Sequence, residues 1–88
     1  MRKPTVENLL NIIDSLGGVD IMDKQQDISL MEHGMDSLKF IQMIVTIEER
    51  LECEIPDSKL VLSEMETVEK IMTVLNELYE ENRLPNIG

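Results

Sequence analysis

In Gly34-Met35-Asp36-Ser37-Leu38, a permissive glycine and a helix-capping aspartate stand directly before a serine, and a long run without glycine or proline follows. That order predicts that Ser37 opens a helix and shows its hydroxyl on an exposed first turn. The first amides of a helix have no carbonyl inside it to bond, so a phosphate ester on Ser37 would face free N–H groups and the positive end of the helix dipole. Such contacts are worth about 0.3–1 kcal/mol at a surface. No residue beside Ser37 has the character of a base, so its hydroxyl reads as an anchor and not as a hydrolytic nucleophile. Taken alone, Asp36-Ser37 is equally an ordinary helix cap.

The other reactive side chains carry weaker signals. His33 is the single histidine and has no metal-ligand companions; it reads as a partly buried ring with its polar tip in water, or as a modulator of the neighbouring serine. Cys53, the single cysteine, sits in the alternating run Leu51-Glu52-Cys53-Glu54-Ile55, where a filler thiol is favoured and acidic neighbours oppose a thiolate. One cysteine excludes an internal disulfide and fits a reducing compartment. Met43 and Met72 read as core filler, whereas Met35 and Met65 read either as filler or as the lining of an adaptable cleft.

The elements that must position Ser37 follow from periodicity. Val6, Leu9, Leu10, Ile13 and Leu16 recur at helical spacing between Pro4-Thr5 and Gly17-Gly18, predicting a first helix over about 5–16. Residues 17–36 show no sustained period and read as a long loop pinned by Ile21, Ile28 and Leu30. A second helix is predicted over about 37–51. Leu38, Ile41 and Val45 mark one stripe on it and Phe40, Met43, Ile44, Ile47 and Leu51 another, more apolar surface than one buried face needs, so one flank should stay accessible. After Pro56-Asp57 comes a short helical insert over about 57–65, where Ser63 and Glu66 have capping-box spacing. Thr67 caps a last helix over about 67–81, striped by Val68, Ile71, Met72, Leu75, Leu78 and Tyr79, and 82–88 should fray. The fold class is thus all-α, a bundle of three main helices plus a short insert in one domain over 1–88.

Composition narrows the functions. At 88 residues the chain has little surplus for an enclosed active site, and no catalytic constellation is present, so an enzyme is not expected. Eighteen acidic against eight basic residues give a net charge of −10, which repels nucleic acid and anionic lipid and favours basic partners. Glu7, Asn8, Asn11 and Asp14 interrupt the apolar run that a secretory leader would need after Arg2 and Lys3. The uncharged stretch from Phe40 to Ile47 is far shorter than the roughly 20 residues that span a bilayer. A soluble, cytoplasmic monomer is the expectation.

Read in order, Asp27-Ile28-Ser29-Leu30, Gly34-Met35-Asp36-Ser37-Leu38, Glu48-Glu49, Ile55-Pro56-Asp57 and Thr67-Val68 resemble the acyl carrier protein family of the stand-alone type. The resemblance runs from about Asp27 to Leu78. It implies that Ser37 receives 4'-phosphopantetheine from coenzyme A, through a phosphopantetheinyl transferase that uses magnesium held transiently by Asp36, with Leu38 beside the attachment point. It implies further that acyl or aminoacyl thioesters ride on the arm between a loading enzyme and a downstream synthase or transferase. The pathway would be fatty-acyl or of a specialised polyketide or non-ribosomal type. Partners would meet the second helix and the loop before it through Met35, Lys39, Gln42, Val45, Glu48 and Glu49. Lys39 and Gln42 depart from the family, whose fatty-acid carriers commonly have acids there. The alternative is an acidic helical protein-binding module that is never modified; the absence of an Asp-x-Asp-x-Asp-Gly loop leaves calcium sensing without support.

Overall fold

The computed structural model describes residues 1–19 and 27–83. Helix α1 spans Val6–Leu16, α2 spans Ser37–Leu51 and α3 spans Val68–Arg83, with single 3-10 turns at Met31–His33, Asp57–Lys59 and Leu62–Glu64. No strand occurs among the described residues. The fold is an all-helical bundle.

Each helix starts where a side chain can satisfy its orphan amides. Thr5 accepts from the Asn8 amide at 3.1 Å to open α1, and Thr67 Oγ1 accepts from the Lys70 amide at 3.1 Å to open α3. Gly17, at φ 74°, ends α1 in a backbone conformation that suits glycine. The end of α2 is different: Glu52 adopts φ 54° without being glycine. There the Arg2 guanidinium binds the Glu52 carboxylate at 2.7 Å and the Arg2 amide donates to the Leu51 carbonyl at 2.8 Å, so the first residues of the chain clamp the turn.

The core takes Leu9, Ile12 and Ile13 from α1, Met43, Ile44, Ile47 and Leu51 from α2, and Val68, Ile71, Val74, Leu75 and Leu78 from α3. Burying one such side chain is worth about 1.5–3 kcal/mol, and the i, i+3, i+4 spacing is what lets one face of each helix supply several. Ile12, which the periodic reading left out of α1's stripe, points inward, while Val6, Leu10 and Leu16 are half-buried around it.

The connections are bonded to one another. Leu30, buried in the core, donates its amide to the Glu66 carbonyl at 2.7 Å, which ties the segment before α2 to the segment before α3. Ile21, expected to help pin the long loop, lies outside the described residues. In place of one short helix the insert forms the two 3-10 turns named above. The capping box read at Ser63 and Glu66 does not form: no α-helix starts there, and the Glu66 carboxylate takes the Lys70 ammonium at 3.0 Å. That ammonium also donates to the Ser63 carbonyl at 3.0 Å. Helix α3 runs two residues past the expected end at 81, because nothing before Pro85 interrupts it; residues 84–88 lie outside the described ones.

Candidate functional site

Ser37 is the first residue of α2 and is exposed. Its position follows from three local devices. Gly34, at φ 104°, closes the Met31–His33 turn and sends the chain toward the helix; Met35 donates its amide to the Leu30 carbonyl at 2.9 Å; and Asp36 caps α2. The Asp36 carboxylate accepts from the Lys39 amide at 2.8 Å, and its carbonyl accepts from the Phe40 amide at 2.8 Å. The amides of Ser37 and Leu38, earlier in the same turn, have no intrahelical acceptor. A hydroxyl and two outward donors therefore share one exposed helix tip, an arrangement that suits a phosphate ester.

Along α2 from that tip, Leu38, Ile41 and Val45 form an exposed apolar ridge, at 65%, 58% and 47% exposure, and Val61 in the insert is 43% exposed. Of the two apolar stripes in α2, this is the one left to solvent; Met43, Ile44, Ile47 and Leu51 are buried and Phe40 is half-buried. Gln42 and Glu49 are exposed and Lys39 is half-buried.

Two residues expected to meet partners stand elsewhere. Met35 is 4% exposed and its side chain packs in the core cluster, so it is not available as the docking contact expected of it. Glu48 is half-buried, and one of its carboxylate oxygens accepts the Ile55 amide at 2.9 Å, so it braces the chain after α2. Ile41 was legible as part of the Leu38–Val45 stripe, whereas the exposure of Val61, in an irregular segment, carries no periodic signal.

His33 donates from Nδ1 to the Ser29 carbonyl at 2.9 Å, because a carbonyl can only accept, and the ring therefore packs the turn ahead of the site. Cys53 is half-buried; burial pushes its thiol up, and the nearby Glu48 carboxylate pushes it further. Met43 and Met65 are wholly buried. Among the described residues no group of three or more His, Cys, Asp and Glu side chains could hold a metal, and no helix is long and apolar enough to cross a membrane. A cleft of about 500 Å³ lies between Arg2, Asn8 and the last turn of α2 at Arg50, more than ten residues along the helix from Ser37.

The family model for the phosphopantetheine attachment site matches residues 7–75, which includes all of α2, nearly all of α1 and the first half of α3. The chain belongs to the phosphopantetheine-binding carrier proteins. The carrier is 31% identical over 78 residues to the D-alanyl carrier protein of Lactobacillus helveticus, covering 88% of this chain and 98% of that one. It is 34% identical over 73 residues to the D-alanyl carrier protein of Listeria monocytogenes, covering 82% and 94%. A third D-alanyl carrier protein, from Enterococcus faecalis, is 42% identical over 53 residues, covering 59% and 68%. No solved structure matches the chain. Membership supplies the cofactor, a covalently attached 4'-phosphopantetheine, and a carrier's role in place of an enzyme's, with partner enzymes that load and unload the arm.

Proposed function

We propose that Ser37 is the residue that bears 4'-phosphopantetheine and that the cargo is aminoacyl, with D-alanine as the first candidate. The exposed Ser37 hydroxyl at the capped tip of α2 carries this reading, because it combines access for a modifying enzyme with outward amides for a phosphodiester. Asp36 is the carboxylate adjoining it and would hold the transferase's magnesium while Ser37 Oγ forms its bond to phosphorus, the pyrophosphate link of coenzyme A breaks, adenosine 3',5'-bisphosphate leaves and the hydroxyl proton passes to the transferase. The arm supplies a terminal thiol for thioester chemistry. The chain's own residues anchor the arm, keep its root in water and present a docking face.

That face is the ridge of Leu38, Ile41 and Val45, bordered by Lys39, Gln42 and Glu49. The relatives named as D-alanyl carriers favour an aminoacyl cargo over a fatty-acyl or polyketide one. Lys39 and Gln42, standing where fatty-acid carriers commonly have acids, agree with that preference. We assign the carrier to the cytoplasm, where coenzyme A and ATP are available, and to action as a monomer.

Incubation of the modified chain with ATP, radiolabelled D-alanine and a ligase that adenylates D-alanine tests the cargo. Label should stay with the protein through acid precipitation and leave with hydroxylamine, as a thioester does. Label retained on the unmodified chain, or none on the modified one while a long-chain acyl group is accepted, would count against an aminoacyl carrier.

A further inference from the structure

We propose that Lys39 is a positioning residue for the arm, its ammonium serving as counter-charge to the phosphodiester at the arm's root; this rests on Ser37 being the attachment point. The Lys39 amide is bonded to the Asp36 carboxylate at 2.8 Å, while its side chain folds back toward the start of α2. There Nζ donates to the Gly34 carbonyl at 3.3 Å, three residues before Ser37, and lies against Gly18, where an added Cβ would come within 2.5 Å of it. The ammonium is thereby kept at the tip that holds the anchor.

Its present partner is a poor one. A bond of 3.3 Å exceeds the usual N–H···O range of about 2.7–3.2 Å, and the acceptor is uncharged. Arg2–Glu52, Lys59–Glu77 and Lys70–Glu66 are ion pairs, whereas no carboxylate of the described residues stands within salt-bridge distance of the Lys39 ammonium. Asp36, the acid nearest in sequence, points its oxygen at the Lys39 amide and not at its ammonium.

A phosphodiester on Ser37 would place a full negative charge at this tip, next to the Asp36 carboxylate that repels it. Lys39 stands two residues further along the same turn, about 5.5 Å between α-carbons but about 200° around the axis, so its ammonium meets the arm's root by reaching over the helix tip, on the side of Gly34 where Nζ already lies. The ammonium would exchange a neutral carbonyl for an anionic oxygen, a charge-assisted bond that is the stronger of the two. Gly18, lacking a side chain, leaves the room in which Nζ moves.

The test compares wild type, Lys39→Met and Lys39→Arg, each treated with coenzyme A, magnesium and a broad-specificity phosphopantetheinyl transferase. Intact mass confirms the arm, amide spectra confirm the fold, and the phosphorus NMR resonance is followed from low to high salt. The wild-type and Lys39→Arg resonances should differ from that of Lys39→Met at low salt and converge on it as salt screens the contact. Attachment of the arm should also shift the Gly18 and Gly34 amides of wild type but not of Lys39→Met. Coincident resonances at low salt, or a wild-type resonance insensitive to salt, overturn the role of Lys39 alone. A wild-type chain that gains no arm overturns the attachment reading and this proposal with it.

Discussion

Gly34 approaches the carbonyl of Gly18 so closely that any side chain on Gly34 would collide with it, and the backbone of Gly34 is at φ 104°. The two glycines bring the end of α1 against the turn that leads into α2, and so fix where Ser37 emerges. Gly34→Ala meets both a backbone clash and an unfavourable dihedral, and should lose on the order of 1–3 kcal/mol of stability or more. Urea unfolding of the two proteins checks this; an unchanged midpoint would mean that the crossing can widen freely.

Asp36 has two separable roles. Asp36→Ala removes the cap bonded to the Lys39 amide and should cost about 0.5–2 kcal/mol, whereas Asp36→Asn keeps an acceptor and should cost only a few tenths. Both lose the carboxylate that would hold magnesium, so both should be modified more slowly by the transferase. Melting curves beside modification time courses separate the effects; Asp36→Asn modified at the wild-type rate would remove Asp36 from metal binding.

Leu38 and Val45 stand in solvent, so Leu38→Ala with Val45→Ala should leave stability within about 0.5 kcal/mol per site. A docking ridge would show the loss elsewhere. If each side chain anchors the partner by roughly 1–2 kcal/mol, KM with the loading enzyme should rise on the order of ten-fold or more while kcat changes little. A KM equal to wild type would take the ridge out of the loading contact.

Burial and Glu48 hold the Cys53 thiol protonated in the folded chain above the ordinary thiol range. The unfolded chain gives up that proton at lower pH, so it binds fewer protons there, and Cys53 makes stability fall as pH rises past the unfolded thiol pKa. Iodoacetamide should label Cys53 more slowly in buffer near that pH than in denaturant. Equal rates in the two would show an open thiol.

The bundle was legible in the sequence because its helix starts are local: Thr5, Asp36 and Thr67 each cap through their own oxygen, and the apolar residues repeat at helical spacing. The position of Ser37 could be read for the same reason. What could not be read depends on contacts between distant segments. Periodicity showed that α2 has two apolar stripes but not that the other helices cover the Met43 stripe and leave the Leu38 one bare. Met35 adjoins the site in sequence, yet its side chain is buried in the core with residues far along the chain. Glu48 resembles a surface charge until the chain folds back and brings the Ile55 amide to it. The clamp from Arg2 to Glu52 joins residues fifty positions apart, and no local pattern announces it.

Peptide mapping decides whether Ser37 bears the arm. The chain and Ser37→Ala are each incubated with coenzyme A, magnesium and transferase, weighed whole, then digested and fragmented. Wild type should gain the mass of a single phosphopantetheine, localised to Ser37, and Ser37→Ala should gain nothing. An arm found on another residue, or a Ser37→Ala chain that still takes one, would contradict attachment at Ser37.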